Sequence, residues 1–131
     1  MLILPLAIYN TLISQAKRKL PVEVCGILGG NDCTVTQFYP MTITNCCNRS
    51  FLFDPKEKTA VLNDLRSKGD SMLAIYHSRS NMLTLPSERD LRLQLNPDIS
   101  YVIISFAGEI PIMRSFRIAE DVVAEESVIC S

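Results

Sequence analysis

The hydrophobic period changes several times along the chain, and the order of those changes limits the folds available. Over residues 5–20, Leu6, Tyr9, Ile13, Ala16 and Leu20 recur at helical spacing, with Pro5 suited to a first helical position. Lys17, Arg18 and Lys19 fall in the last turn as a solvated helix end, and Pro21 stops the helix. Val22 to Leu28 then reads as a strand, Gly29-Gly30-Asn31-Asp32 as a turn, and Cys33 to Thr44 as the return strand. Asn45 to Ser50 is a polar loop. A second helix opens at Asp54, with Asp54 as N-cap, Pro55 at N1 and Glu57 at the capping-box position; Gly69 suits its C′ position. Ala60, Val61, Leu65 and Lys68 make its stripe. Met72 to Tyr76 is a short apolar run and predicts a buried strand leading into His77. After a polar loop over 80–86, a short helix is predicted from Ser87 to before Pro97. Ile99 to Ala107, Pro111 to Ile118 and Val122 to Ile129 read as three strands, the first two joined at Gly108-Glu109. Helices and strands interspersed without a strict βαβ repeat predict a mixed α+β fold, a mixed sheet with helices packed on it.

Composition removes several function classes. At 131 residues the chain is the size of a single domain spanning 1–131, large enough to fold without disulfide or metal. A formal net charge of -1 carries no footprint for nucleic acid. The run Met1 to Tyr9 lacks a basic n-region and is broken by Pro5, which argues against a signal peptide; Tyr101 to Ala107 is too short to cross a membrane. Five cysteines, at 25, 33, 46, 47 and 130, include no C-x-x-C pair, so reduced thiols in a cytoplasmic protein are the simplest reading. There is one histidine, His77, which excludes any site needing two or three imidazoles from one chain. A cysteine nucleophile built from Cys25 and His77 is conceivable, but Cys25 lies in an apolar strand where buried, inert cysteine is the common case.

Residues 77–90 carry the densest chemistry: His77, Ser78, Arg79, then Pro86-Ser87 and Asp90. Residues 77 and 79 of an extended chain point to one side, and Ser87 and Asp90 share one face of a helical turn. Taken singly, Ser87-x-x-Asp90 is a capping box and His77 a hydrogen-bonded imidazole at a strand end. Together they resemble the signature of the JAMM/MPN metalloprotease family, His-Ser-His-Pro followed by Pro-Ser-x-x-Asp. The upstream segment Pro21-Val22-Glu23-Val24-Cys25-Gly26-Ile27-Leu28-Gly29-Gly30 is similar to the family's Pro-x-Glu-x-Cys-Gly-x-Leu-x-Gly strand. Phe53-Asp54-Pro55 and Ile75-Tyr76 are further points of likeness to small bacterial JAB-type members, so the resemblance spans almost the whole chain.

The resemblance implies a JAMM/MPN (cytidine deaminase-like) architecture, a curved mixed sheet with a long helix on each side. It implies a zinc hydrolase acting at the C-terminus of a ubiquitin-like or sulfur-carrier protein, whose tail would lie extended near Glu23 and the 80–86 loop. Position by position it makes His77 and Asp90 metal ligands, Glu23 the general base and acid, and Ser87 the oxyanion donor. The second histidine of the motif is Arg79 here, and the following proline is Ser80. A guanidinium offers no lone pair and stays charged, so it cannot ligate zinc. The expectation is therefore weak or absent zinc binding and impaired activity. Arg79 is expected either to pair with Asp90 or Glu23 or to turn outward into solvent. The alternative function is a metal-free pseudo-enzyme that binds a protein partner or forms a homodimer.

Overall fold

A computed structural model describes residues 1–42, 54–79, 98–119 and 122–131. Within them lie β1 (Leu2–Leu4), α1 (Leu6–Arg18), β2 (Cys25–Asn31), β3 (Thr34–Met41), α2 (Pro55–Ser67) and β4 (Ser71–Arg79). They are followed by β5 (Ser100–Ser105), β6 (Ile112–Ala119), β7 (Val122–Glu126) and β8 (Val128–Cys130). The eight strands form one mixed sheet in the order β7-β6-β5-β4-β2-β3-β1-β8. β4 and β5 run parallel, as do β1 with β3 and β1 with β8; the other neighbours are antiparallel.

Each helix covers its own side of this sheet. Leu12 of α1 packs with Leu2, Leu4, Leu28, Val35, Ala74, Tyr76, Val102 and Ile104, all fully buried or nearly so. Val61 and Leu65 of α2 pack with Ile27. Alternation along β4 explains the split: Ala74, Tyr76 and Ser78 face α1, while Ile75, His77 and Arg79 face the other way. The expected mixed sheet with a helix on each side is the architecture found.

The local signals around α2 act as read at both ends. Asp54 accepts from the Lys56 N–H at 3.1 Å, and Pro55 opens the helix. Gly69 adopts a φ of 73°, the Gly69 N–H donates to Arg66 O and the Asp70 N–H to Leu65 O, which is a Schellman closure. Glu57, however, accepts from the Thr42 N–H at 2.8 Å, so its carboxylate ties the helix to the end of β3. Tyr39 and Lys68 both donate to Asp64 Oδ2, which fixes the other half of α2 over β3.

Several expected boundaries move. α1 ends at Arg18, and Pro5 is its N-cap residue, one position before the helix. β2 begins three residues later than Val22 and continues through Gly29 and Gly30. Those glycines sit at register shifts against β4 and β3, where bulges demand close backbone approach, and the turn falls at Asp32, with a φ of 56°. β4 extends through His77 to Arg79. The single strand expected over Val122 to Ile129 is two, because β7 pairs with β6 at one edge and β8 with β1 at the other. β1 was not expected at all. The short helix from Ser87, the 45–50 loop and the 80–86 loop lie outside the described residues.

Candidate active site

The site is assembled at the ends of three adjoining strands. β2 and β4 place Cys25 opposite His77, and β4 and β5 place His77 beside Ile103 and Arg79 beside Ser105. Beyond the first residue of β2, Val24 and Ser78 are still hydrogen-bonded, and Glu23 is the next residue outward from Val24. Glu23 is exposed and His77 partly buried, whereas Arg79 is only 8% exposed. The expectation that Arg79 turns outward is therefore corrected: the β4–β5 pairing carries it into the sheet.

Arg79 Nε donates to His77 Nε2 at 3.1 Å. Arg79 thus has an imidazole as a partner, where a carboxylate was expected. An imidazole that accepts at Nε2 carries its proton on Nδ1 and is neutral. Its lone pair is directed at the guanidinium and is not available to a metal while that bond stands. Asp90 and Ser87, the other expected ligand and the expected oxyanion donor, lie outside the described residues.

Zinc is the group that the resemblance implies, and the described residues do not fit it. A catalytic zinc uses three protein donors and an open position. Here the ring of the one histidine accepts at Nε2 from a buried cation, and a dication would have to enter beside that cation. Among the described residues no group of three His, Cys, Asp or Glu side chains could hold a metal.

Cys25 adjoins this site without joining its chemistry. Burial and then the nearby Glu57 carboxylate push its thiol up to about 12. At pH 8 that keeps the thiol in its unreactive protonated form. Cys130 is exposed and Cys33 intermediate. Alkylation of the folded protein with iodoacetamide at pH 8 is thus expected to label Cys130 well before Cys25 and to spare Cys25 until denaturant is added. Rapid labelling of Cys25 in the native state, read by peptide mass spectrometry, would contradict that.

Comparison with known proteins agrees with the family resemblance. Residues 5–119 match the family model of prokaryotic homologues of the JAB domain. The chain is similar to the CysO-cysteine peptidase of Mycobacterium tuberculosis, 30% identical over 122 residues, which is 91% of this chain and 84% of that protein. It is also similar to the desampylase of Haloferax volcanii, 33% identical over 91 residues, 67% of this chain and 66% of the other. A solution structure of a protein from Desulfitobacterium hafniense superposes with a TM-score of 0.87 at 34% identity, covering 100% of this chain and 93% of that one. Family match and fold agree, and the chain belongs to the prokaryotic JAB-domain family, with the JAMM/MPN architecture.

Proposed function

We propose that this domain recognises the C-terminal tail of a ubiquitin-like or sulfur-carrier protein and that its peptidase activity is impaired. The names of the relatives support the substrate class, since one is a CysO-cysteine peptidase and one a desampylase. The observation that carries the impairment is the hydrogen bond from Arg79 Nε to His77 Nε2. It occupies a lone pair of the histidine that the resemblance makes a zinc ligand and puts a fixed positive charge against that ring. Without a metal-activated water, Glu23 has no acidified proton to take, and Ser87 has no developing oxyanion to stabilise. The same contact favours the second reading, a metal-free module that binds a partner, or a second copy of itself, without cleaving it. The free thiols at Cys25, Cys33 and Cys130 suit a reducing compartment such as the cytoplasm. Among the described residues no helix is long and apolar enough to cross a membrane.

The test uses a ubiquitin-like carrier protein bearing cysteine on its C-terminal glycine. Calorimetry is expected to show saturable binding, and intact mass spectrometry is expected to show the adduct uncleaved after many hours. Multiple turnovers by the unmodified protein would contradict the impairment. Absence of binding would contradict the partner class, and sedimentation of the same sample reads self-association.

A further inference from the structure

Ser78 stands between His77 and Arg79, yet none of the roles above uses it. It is 1% exposed and faces α1, away from its two neighbours. Its N–H donates to Val24 O at 2.8 Å, and its Oγ accepts from the Val24 N–H at 2.8 Å. In a regular antiparallel pair of this type, both bonds run from main chain to main chain. Here one of the two is carried by a side chain. On the other edge of β4 the ladder stays regular, with the Phe106 N–H donating to Arg79 O at 3.0 Å.

The substitution of acceptors has a geometric consequence. A hydroxyl on Cβ lies off the strand axis, so Val24 is held without being drawn into the flat ladder. β2 accordingly begins only at Cys25, while Val24 remains tied to β4 and packs against the α1-side core. Glu23, the next residue outward, lies outside the strand and is exposed. We propose that Ser78 is a positioning residue, whose hydroxyl replaces a main-chain acceptor for Val24 and thereby sets where the Glu23 carboxylate stands relative to His77 and Arg79. This rests on the reading that Glu23 belongs to the site, and its test uses neither partner nor activity.

The test compares Ser78→Ala and Ser78→Thr with the unmodified protein, labelled with 15N and with 13C at the glutamate carboxyl carbon. In Ser78→Ala, exchange of the Val24 amide is expected to speed up by about tenfold or more, because a partly buried donor has lost its acceptor. The Glu23 carboxyl signal is expected to move with it, while the Ile103 and Ile104 amides of β5 keep their protection. Ser78→Thr keeps the hydroxyl and is expected to restore both signals. A Glu23 signal that stays in place when Val24 protection is lost would overturn the proposal. So would unchanged Val24 exchange, failure of threonine to restore either signal, or loss of protection spread equally through β5. An alanine variant that does not fold would also overturn it, since the hydroxyl is assigned a local task.

Discussion

Arg79→His is expected to convert a chain that retains little zinc into one that holds about one zinc per molecule, the stoichiometry of a three-donor catalytic site. The change acts twice. It removes the buried guanidinium whose Nε occupies His77 Nε2, and it supplies an imidazole two residues along the same strand face. With His77 released, the resemblance gives three donors: His77, the introduced imidazole and Asp90. Arg79→Ala separates the two effects, because it frees His77 without adding a donor, and it is expected to stay well below one zinc. Metal analysis after dialysis, with circular dichroism to confirm folding, checks all three proteins. Full zinc in the unmodified chain, or none in a folded Arg79→His variant, would contradict the account.

Gly26→Ala is expected to destabilise the site-bearing strands strongly. Gly26 lies between Pro40 on β3 and Tyr76 on β4. A Cβ there would stand 2.3 Å from the Tyr39 carbonyl oxygen and 2.4 Å from the Tyr76 hydroxyl oxygen. The first is backbone held in the β2–β3 ladder. The second belongs to a tyrosine that is fully buried, packed edge-on against Phe38, and whose hydroxyl has no hydrogen-bond partner among the described residues. Neither can yield cheaply, so the loss should be about 3 kcal/mol or more, a large share of a typical domain's stability. Thermal melts should show a midpoint lowered by about 10 °C or more. A variant within a degree or two of the unmodified protein would show that the strands separate more readily than their packing indicates.

These two positions also show what the sequence could and could not disclose. Gly26 is part of a motif, but the reason only glycine fits is the Tyr76 ring from a strand fifty residues away. α2 was readable at both ends because capping is local: Asp54, Pro55 and Gly69 each act within one turn. β1 and β8 were not, because three-residue strands carry no period and gain their structure from each other and from β3. The reading of Val122 to Ile129 as a strand marked extended chain correctly, yet the segment holds no sign of where one sheet edge ends and the opposite edge begins. At the site, strand pairing sets Cys25 opposite His77 and ties Val24 to Ser78. The contact between Arg79 and His77 escaped because a guanidinium is expected to seek a carboxylate. In an extended strand the nearest acceptor on the same face is two residues back, and there it is a neutral imidazole.

Because His77 is the one histidine, its ring nitrogens can be observed without assignment ambiguity. A long-range proton–nitrogen spectrum of the 15N-labelled protein at neutral pH, before and after one equivalent of zinc, tests the central claim most directly. The account predicts a neutral ring protonated on Nδ1, with Nε2 accepting a hydrogen bond and unmoved by zinc. An Nε2 signal that shifts to a metal-bound position, or a ring protonated on Nε2, would contradict it.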